Sequence, residues 1–244
     1  MPTIAMLYPG HSAEDEFRTL SARLPGSSFP VIHTWEGPTD HELTALRALG
    51  AQDRLTPPAR RSRAWSPDAV MWACTSGSFV YGLEGCREQA RWIQEATQTR
   101  ASSTSLAFAA AVHHLGLERV SIAATYPREV AACFVALLED DGIRVTALSA
   151  YDVPSGEDAG RLGREWVLET ARAADLADSQ CLLIPDTALH TIEVLPQLEE
   201  ALGLPVLTAN QVTAWQGLLL AGQQTQAEGL GTLFSARPPA PAPA

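Results

Sequence analysis

The stretch Ala69-Val70-Met71-Trp72-Ala73-Cys74-Thr75 is an apolar run that ends in a thiol and a hydroxyl group. A second stretch, Cys181-Leu182-Leu183-Ile184-Pro185-Asp186-Thr187, repeats the arrangement with a carboxyl group in place of the thiol. Continuous apolar runs of this length are typical of strands that are buried on both faces of a parallel sheet. We therefore expect two buried strands, each leading into a helix. Cys74 and Asp186 would lie at their carboxyl ends, where open α/β sheets bind ligands.

Apolar runs alternate with segments of helical period along the whole chain, which predicts parallel sheets with helices on both faces. The predicted strands are 4–8, 29–32, 69–73, 120–124, 143–148, 181–184 and 206–207. The predicted helices are 13–24, 40–49, 84–97, 104–115, 127–141, 161–174, 192–202 and 211–221. We expect an α/β fold of two pseudo-symmetric Rossmann-like lobes. Each lobe would be a mostly parallel sheet flanked by helices, with the active site in the cleft between them.

The two lobes are expected to be discontinuous in sequence. The N-terminal lobe is predicted to comprise 1–102 and 212–235, and the C-terminal lobe 103–211. The segment 236–244 is rich in Ala and Pro and is predicted to be a disordered tail. The stretch 52–67 is rich in Arg and Pro, and no element is predicted there.

Composition limits the classes of function. With 244 residues, 46% of them hydrophobic, the chain can bury the core of one large domain or two small lobes. Its formal net charge of −11 argues against a nucleic-acid partner. No apolar stretch approaches the roughly 18 residues that span a bilayer, and no signal peptide is recognisable, so we expect a cytoplasmic protein without membrane contact. The four cysteines show no zinc-binding spacing and are expected to be free thiols, with no metal.

The segment Cys74-Thr75-Ser76-Gly77-Ser78 is the first candidate for chemistry. A loop of small hydroxyl residues exposes backbone N–H groups that suit a carboxylate or a developing oxyanion. These N–H groups are also expected to lower the pKa of Cys74 from about 8.5 toward neutrality. A thiolate could then exchange a proton or attack carbon. The alternative is a small buried cysteine that only fills space at the end of a strand.

Three further residues at predicted strand ends are candidates. Asp186 is an unfavourable core residue, because a buried unpaired charge is costly. It is either an acid or base opposite Cys74 or a helix N-cap. The Tyr126 phenol either donates to a substrate oxygen or packs as an ordinary aromatic side chain. His11, in the loop after the first strand, is either a base or a solvated loop residue.

At these residues the sequence resembles the aspartate/glutamate racemase superfamily, and in particular its branch of maleate cis–trans isomerases and arylmalonate decarboxylases. The resemblance extends from the first strand to about position 234 and is carried by the order and spacing of short motifs. The matching stretches are Ala73-Cys74-Thr75-Ser76, Thr104-Ser105-Leu106-Ala107, Leu115-Gly116 with 120–126, and 183–196 with Gly203-Leu204-Pro205-Val206.

The resemblance implies two α/β lobes related by a pseudo-twofold axis, with one site between them and no metal, flavin or pyridoxal phosphate. It also implies a homo-oligomer. Cys74 matches the catalytic cysteine of the first lobe, and Asp186 stands where the family places a second cysteine. The implied substrate-binding residues are Pro9, Ser12, Thr75, Ser76, Tyr126 and Thr187.

The chain departs from both enzyme types. Its first loop reads Pro9-Gly10-His11-Ser12, where maleate isomerases usually have Pro-Ser-Ser-Asn. The asparagine of a later loop falls near Gly156, and the second cysteine is Asp186. Arylmalonate decarboxylases have glycine at the position of Cys74 and retain the second cysteine, which is the opposite arrangement.

Three functions stay open on the sequence. The first is a cofactor-independent, cysteine-dependent isomerase of a small carboxylic acid, with Cys74 and Asp186 on opposite faces of the reacting carbon. It would be either a cis–trans isomerase of a maleate-like dicarboxylate or a racemase. The second is an arylmalonate-type decarboxylase, which needs one proton donor and an apolar pocket. The third is a catalytically degenerate protein that binds a small mono- or dicarboxylic acid.

Overall fold

The chain forms two four-stranded sheets. The computed structural model describes residues 1–223 and 226–235, and the predicted tail at 236–244 lies outside them. The strands of the first sheet are β1 (Ile4–Pro9), β2 (Val31–Trp35), β3 (Ala69–Trp72) and β4 (Ala101–Ser103). They lie in the order β2-β1-β3-β4, and all neighbouring strands are parallel.

The second sheet repeats this topology. Its strands are β5 (Arg119–Ala124), β6 (Arg144–Ala150), β7 (Cys181–Ile184) and β8 (Val206–Thr208). They lie in the order β6-β5-β7-β8, again all parallel. The predicted α/β fold with two similar lobes is therefore confirmed. The residue boundaries proposed for the lobes stay a prediction.

Helices flank both sheets. The helices before β5 are α1 (Glu16–Arg23), α2 (Leu43–Leu49), α3 (Gln52–Ser62), α4 (Ser76–Phe79), α5 (Gly82–Thr97) and α6 (Thr104–His114). Those after β5 are α7 (Arg128–Asp140), α8 (Gly156–Gly160), α9 (Arg164–Arg172), α10 (Leu195–Leu202), α11 (Ala209–Leu220) and α12 (Gly231–Ser235). None of the helices within the described residues combines the length and the apolar character that crossing a membrane requires.

The central strands are covered on both faces. Every residue of β1, β3 and β7 is buried, as their continuous apolar runs predict. Helix α11 follows the second sheet in sequence but packs on the first one. A Cβ atom at Gly217 would lie only 2.4 Å from Ile4 Cγ2 and 3.2 Å from Met71 Cγ. The glycine therefore lets α11 approach β1 and β3 closely.

Candidate active site

A cavity lies where the carboxyl ends of strands from both sheets meet. In each sheet the strand order reverses at the central pair, between β1 and β3 and between β5 and β7. Such switch points are the usual ligand sites of open α/β sheets. The cavity is narrow, with about 20 Å³ of free volume. The lining residues are Tyr8, Pro9, Ser12, Thr39, His41, Leu46, Leu49, Cys74, Ser76, Gly156, Asp186, Thr187 and Ala188.

Cys74 enters this cavity from the end of β3. Its side chain is only 3% exposed, and Sγ accepts a hydrogen bond from the backbone N–H of Gly77 at 3.3 Å. Burial, assisted by the charge of Asp186, raises the pKa of Cys74 to about 12 in spite of hydrogen bonds from Gly77 and Ser76. The expectation of a thiol pKa near neutrality is therefore wrong. The loop's hydrogen bonds are too weak to compensate for the loss of water around the sulfur.

Asp186 enters the cavity from the second lobe, just after β7. Its side chain is 2% exposed. Oδ1 accepts a hydrogen bond from the backbone N–H of Ala188 at 2.9 Å, and Oδ2 accepts one from Thr125 Oγ1. The bond to the N–H two residues on is that of an Asx turn. No helix begins directly after Asp186, because α10 starts only at Leu195, so the alternative of a helix N-cap is wrong. Each carboxylate oxygen keeps a lone pair that can meet a proton.

The loop after β1 and the second lobe are joined at the cavity wall. The phenol of Tyr8 donates a hydrogen bond to the backbone oxygen of Thr187 at 2.9 Å and lies 2.7 Å from Ser12 Oγ. These contacts hold the loop after β1 against the loop after β7. The predicted site residues that line the cavity are Pro9, Ser12, Cys74, Ser76, Asp186 and Thr187.

Thr75 and Tyr126, the other two predicted site residues, lie behind the lining. Tyr126 donates its phenol proton to the backbone oxygen of Pro185 at 2.7 Å. Burial, followed by the charges of Asp186 and Cys74, raises the pKa of Tyr126 well above its ordinary value, so the phenol stays protonated. Thr75 is buried, and its Oγ1 has no hydrogen-bond partner in residues 1–223 and 226–235. An unpaired buried hydroxyl is costly, and Thr75 lies between two residues that line the cavity, Cys74 and Ser76.

A loop of the first lobe covers the cavity and bonds to the second lobe. The backbone N–H of His41 donates to Pro154 O at 2.8 Å, and that of Gly156 donates to Thr39 O at 3.0 Å. Thr39 also donates from N and Oγ1 to the carboxylate of Glu157. Burial acts to raise the pKa of Glu157, but hydrogen bonds from its own N–H and from Thr39 lower it. We call this contact between 39–41 and 153–157 the clasp.

His41 is a cavity residue that the sequence analysis misses. It is 4% exposed, and its Nδ1 lies 2.8 Å from the backbone oxygen of Val153. Because a carbonyl oxygen can only accept, Nδ1 carries a proton. The predicted helix 40–49 includes His41, but α2 begins only at Leu43, so His41 lies in the connecting loop before it. No local sequence signal marks it as a site residue. Thr39 likewise carries no local signal, whereas Gly156 lies in the loop where the family resemblance places an asparagine.

His11 lies outside the cavity lining. Its exposed ring bonds to Glu36 at 2.9 Å and to Glu14 at 3.1 Å, and these hydrogen bonds raise the pKa of His11. This arrangement fits the alternative of a solvated loop residue. With His33 and Glu36, His11 forms an exposed group whose ligand atoms all lie within 4.8 Å of one another. Within the described ranges it is the one group of three or more His, Cys, Asp or Glu with converging ligand atoms.

The fold and the cavity define a two-lobed α/β protein in which a buried thiol and a buried carboxyl group share one small site. The family model described as arylmalonate decarboxylase matches residues 49–234, and the chain belongs to this family. The arylmalonate decarboxylase of Bordetella bronchiseptica is 27% identical over 179 residues, which are 72% of this chain and 75% of that protein. The maleate isomerase of Nocardia farcinica is 25% identical over 229 residues, which are 91% of this chain and 90% of that protein.

Solved structures of both enzyme types share the fold. One is a liganded double mutant of arylmalonate decarboxylase in which a glycine is replaced by cysteine and a cysteine by serine. It has a TM-score of 0.84 at 26% identity and covers 96% of this chain and 99% of its own. Another is a cysteine-to-serine mutant of the Nocardia farcinica maleate cis–trans isomerase with a covalently bound succinylcysteine intermediate. Its TM-score is 0.87 at 23% identity, with 96% and 98% covered, and it shows the shared fold.

Proposed function

We propose that the protein is a cofactor-independent isomerase that uses Cys74 on a small unsaturated dicarboxylate resembling maleate. The observation that carries this proposal is the shared cavity, which Cys74 enters from one lobe and Asp186 from the other. The maleate isomerase of Nocardia farcinica, which aligns with 91% of the chain, supports this substrate class.

One substrate carboxylate is proposed to bind near the end of β3. Thr75 Oγ1 is a buried hydroxyl with no partner among the described residues, and Ser76 and Ser12 line the cavity. Tyr126 is a protonated phenol close behind them. Donors aimed at a carboxylate stabilise the charge that spreads onto its oxygens when the neighbouring carbon becomes a carbanion. Removing one such donor typically raises the barrier by about 3 kcal/mol.

The isomerisation needs a thiolate, whereas the pKa of the buried Cys74 thiol is about 12. We propose that Asp186 accepts the thiol proton as Sγ adds to one olefinic carbon and the π electrons move into the adjacent carboxylate. The former double bond is then single and can rotate. When it re-forms, the S–C bond breaks, and the departing thiolate recovers its proton from Asp186. The Nocardia farcinica structure holds a succinylcysteine, which is the adduct of a thiol and maleate.

Racemisation at an acidic carbon is the other isomerase reaction that the same pair supports. Cys74 and Asp186 would stand on opposite faces of the carbon, so that one removes a proton and the other returns one. This reaction leaves no change of composition, and only isotope exchange or optical activity reveals it.

Decarboxylation of a substituted malonate is the second candidate function. The family model and the Bordetella bronchiseptica relative favour it. The departing carboxylate needs an apolar pocket, and Leu46 and Leu49 are apolar residues in the cavity lining. Cys74 would then act only as the donor that protonates the resulting carbanion.

A homo-oligomer in the cytoplasm is the assembly and location that we propose. The family resemblance supports the oligomer, and four free cysteines favour a reducing compartment. Light scattering during size-exclusion chromatography tests the assembly, and a monomer at micromolar concentration would contradict it.

The functions are separated by assaying maleate, aspartate, glutamate and an arylmalonate side by side. Fumarate formed from maleate without release of carbon dioxide supports the cis–trans isomerase. Exchange of the α-hydrogen of an amino acid with deuterium supports the racemase, and carbon dioxide release supports the decarboxylase. Binding of these acids without any turnover would overturn the enzyme proposal and indicate a degenerate carboxylate-binding protein.

Two variants test the catalytic pair. Cys74→Ala is expected to abolish turnover, and the matched control Cys133→Ala, at a half-buried thiol outside the cavity lining, is expected to leave it unchanged. Asp186→Asn keeps an oxygen for the N–H of Ala188 and so retains the turn. It is expected to preserve substrate binding but to lower turnover at least about tenfold. Unchanged turnover would remove Asp186 from the mechanism.

A further inference from the structure

We propose that His41 binds one carboxylate of a dicarboxylate substrate and thereby selects dicarboxylic over monocarboxylic acids. The inference rests on the proposed function, because it names the part of the substrate that this side chain recognises. It follows from the burial of the ring, from the partner of Nδ1 and from the charges that line the cavity.

The ring of His41 is held in one orientation. Nδ1 donates to Val153 O at 2.8 Å, and the backbone N–H donates to Pro154 O at 2.8 Å. The ring packs edge-on against Tyr126, with centroids 4.6 Å apart. These contacts come from the second lobe, so the clasp and the substrate-facing ring are positioned together.

Nε2 is the ring nitrogen left for a ligand. The ring lines the cavity and His41 is 4% exposed, yet Nε2 has no hydrogen-bond partner among the residues that the structure describes. When Nε2 also carries a proton, the ring is an imidazolium that can donate to a carboxylate oxygen and match its charge.

The cavity contains no other group suited to carry positive charge. The chain has no lysine, and no arginine is present among the described lining residues. The other ionisable lining groups are Tyr8, Cys74 and Asp186, which are neutral or negative. Thr75 and Ser76 can supply hydroxyl donors for one carboxylate, but a dianion beside Asp186 needs a cation as well. His41 is therefore the residue that can balance the negative charge of the second carboxylate.

Two substitutions separate the ligand-binding role of His41 from its structural role. In His41→Asn the amide nitrogen takes the place of Nδ1, so the bond to Val153 O can be kept while Nε2 is lost. In His41→Gln the amide reaches the place of Nε2 but carries no charge. His33→Asn is the matched control, because His33 Nδ1 also bonds a backbone oxygen, that of Gly10 at 2.8 Å, outside the cavity lining.

The experiment is calorimetric binding of maleate and of (Z)-but-2-enoate, in which a methyl group replaces one carboxylate. All proteins compared carry Cys74→Ala, so that maleate is not isomerised during the titration. The protein with no further substitution, the wild type of this comparison, is expected to prefer maleate. His41→Asn is expected to weaken maleate binding about tenfold to a hundredfold, the range for a lost charged hydrogen bond. It should leave (Z)-but-2-enoate binding unchanged. His41→Gln should fall between the wild type and His41→Asn, and His33→Asn should bind both acids as the wild type does.

Three outcomes would overturn the inference. They are undiminished maleate binding in both His41 variants, an equal loss for both acids, and no preference for maleate in the wild type. Because binding is measured without turnover, the two proposals fail separately. If the protein forms fumarate and His41→Asn does not change maleate binding, only the inference about His41 is wrong. If the protein binds maleate selectively but has no turnover, only the isomerase proposal is wrong.

Discussion

The phenol of Tyr8, at the end of β1, donates a hydrogen bond to the backbone oxygen of Thr187, 2.9 Å away in the loop after β7. The same oxygen of Tyr8 accepts the N–H of Ala13 at 3.2 Å and lies 2.7 Å from Ser12 Oγ. Burial raises the pKa of Tyr8 well above its ordinary value, so the phenol stays a neutral donor. One hydroxyl therefore fixes the loops that follow the central strands of both sheets.

Tyr8→Phe is expected to lower the free energy of unfolding by about 1–3 kcal/mol, because the oxygen of Thr187 and the N–H of Ala13 lose a buried partner. Urea denaturation measures this loss. Tyr151→Phe is the control, since the phenol of Tyr151 also donates to a backbone oxygen, that of Thr170 at 3.1 Å, but lies outside the cavity lining. Both variants should lose stability, whereas only Tyr8→Phe should also lower turnover. Equal turnover in Tyr8→Phe and Tyr151→Phe would show that the hydrogen bond between Tyr8 and Thr187 does not affect the active site.

Most of the fold was predictable because buried parallel strands leave a plain signal. The apolar runs at 69–73 and 181–184 correspond to β3 and β7, and the predicted helices end within three residues of the observed ones. Strand β4 is missed because Ala101–Ser103 has three small residues and no apolar run. Helix α3 is missed because it contains two prolines, although its buried residues follow helical spacing: Leu55, Pro58, Ala59 and Ser62.

From the residue pattern alone, without the family resemblance, the candidate site was predictable only where a side chain directly follows a buried strand. Cys74 and Asp186 do so, and the topology brings both to the cavity. The protonation state of Cys74 was not predictable, because sequence reveals the hydrogen-bonding loop but not how completely the other lobe excludes water. His41 depends on the clasp, a contact between segments more than a hundred residues apart, which no local pattern encodes.

The thiol of Cys74 is expected to be alkylated more slowly than that of Cys133. With a pKa of about 12, its thiolate fraction at pH 7 is only about 10⁻⁵, and the sulfur is buried as well. Cys133 is only half-buried and should react first under native conditions. Iodoacetamide labelling followed by peptide mass spectrometry gives the order, and the rate at Cys74 should keep rising with pH above 9. Faster labelling of Cys74 than of Cys133 at pH 7 would contradict this account.

Glu16 makes stability depend on pH. Its Oε1 accepts the N–H groups of Thr191 and Ile192 at 2.6 Å, and Oε2 accepts Asn210 Nδ2 at 2.8 Å. Burial nevertheless raises the pKa of Glu16 from 4.5 to about 7. The folded state therefore holds this proton more tightly than the unfolded state, and stability falls as pH rises from 4.5 to 7. The fall amounts to about 3 kcal/mol.

Glu16→Gln should remove this fall, since the amide does not titrate. Urea denaturation at pH 5 and at pH 7 measures the free energy of unfolding of the variant and of the wild type. The change between the two pH values is then compared for the two proteins. The wild type should lose more stability than the variant over this interval. Glu193→Gln, at an exposed carboxylate nearby, is the control and should follow the wild type. A variant curve parallel to that of the wild type would mean that Glu16 does not change its protonation on folding.

Gly156 lets the clasp close over the cavity, and Gly156→Ala is expected to hold it open. A Cβ atom at this position would lie 2.6 Å from Thr39 Oγ1, which donates to Glu157. Thr39 would have to move, which loosens the loop that carries His41. Overpacking of this kind costs about 1–3 kcal/mol. We expect KM to rise more than kcat falls, because the clasp contributes cavity-lining residues, whereas Cys74 and Asp186 lie on other segments of the chain.

Steady-state kinetics of Gly156→Ala, Thr39→Ala and the double variant test this steric account. Thr39→Ala removes the hydroxyl that the new methyl group would strike, so the double variant should be no worse than Thr39→Ala alone, a non-additive result. Gly163→Ala is the control, because a Cβ atom there would lie 3.8 Å from Glu165 Oε2, at ordinary contact distance. Additive losses in the double variant would show that Gly156 acts through backbone freedom and not through its close approach to Thr39.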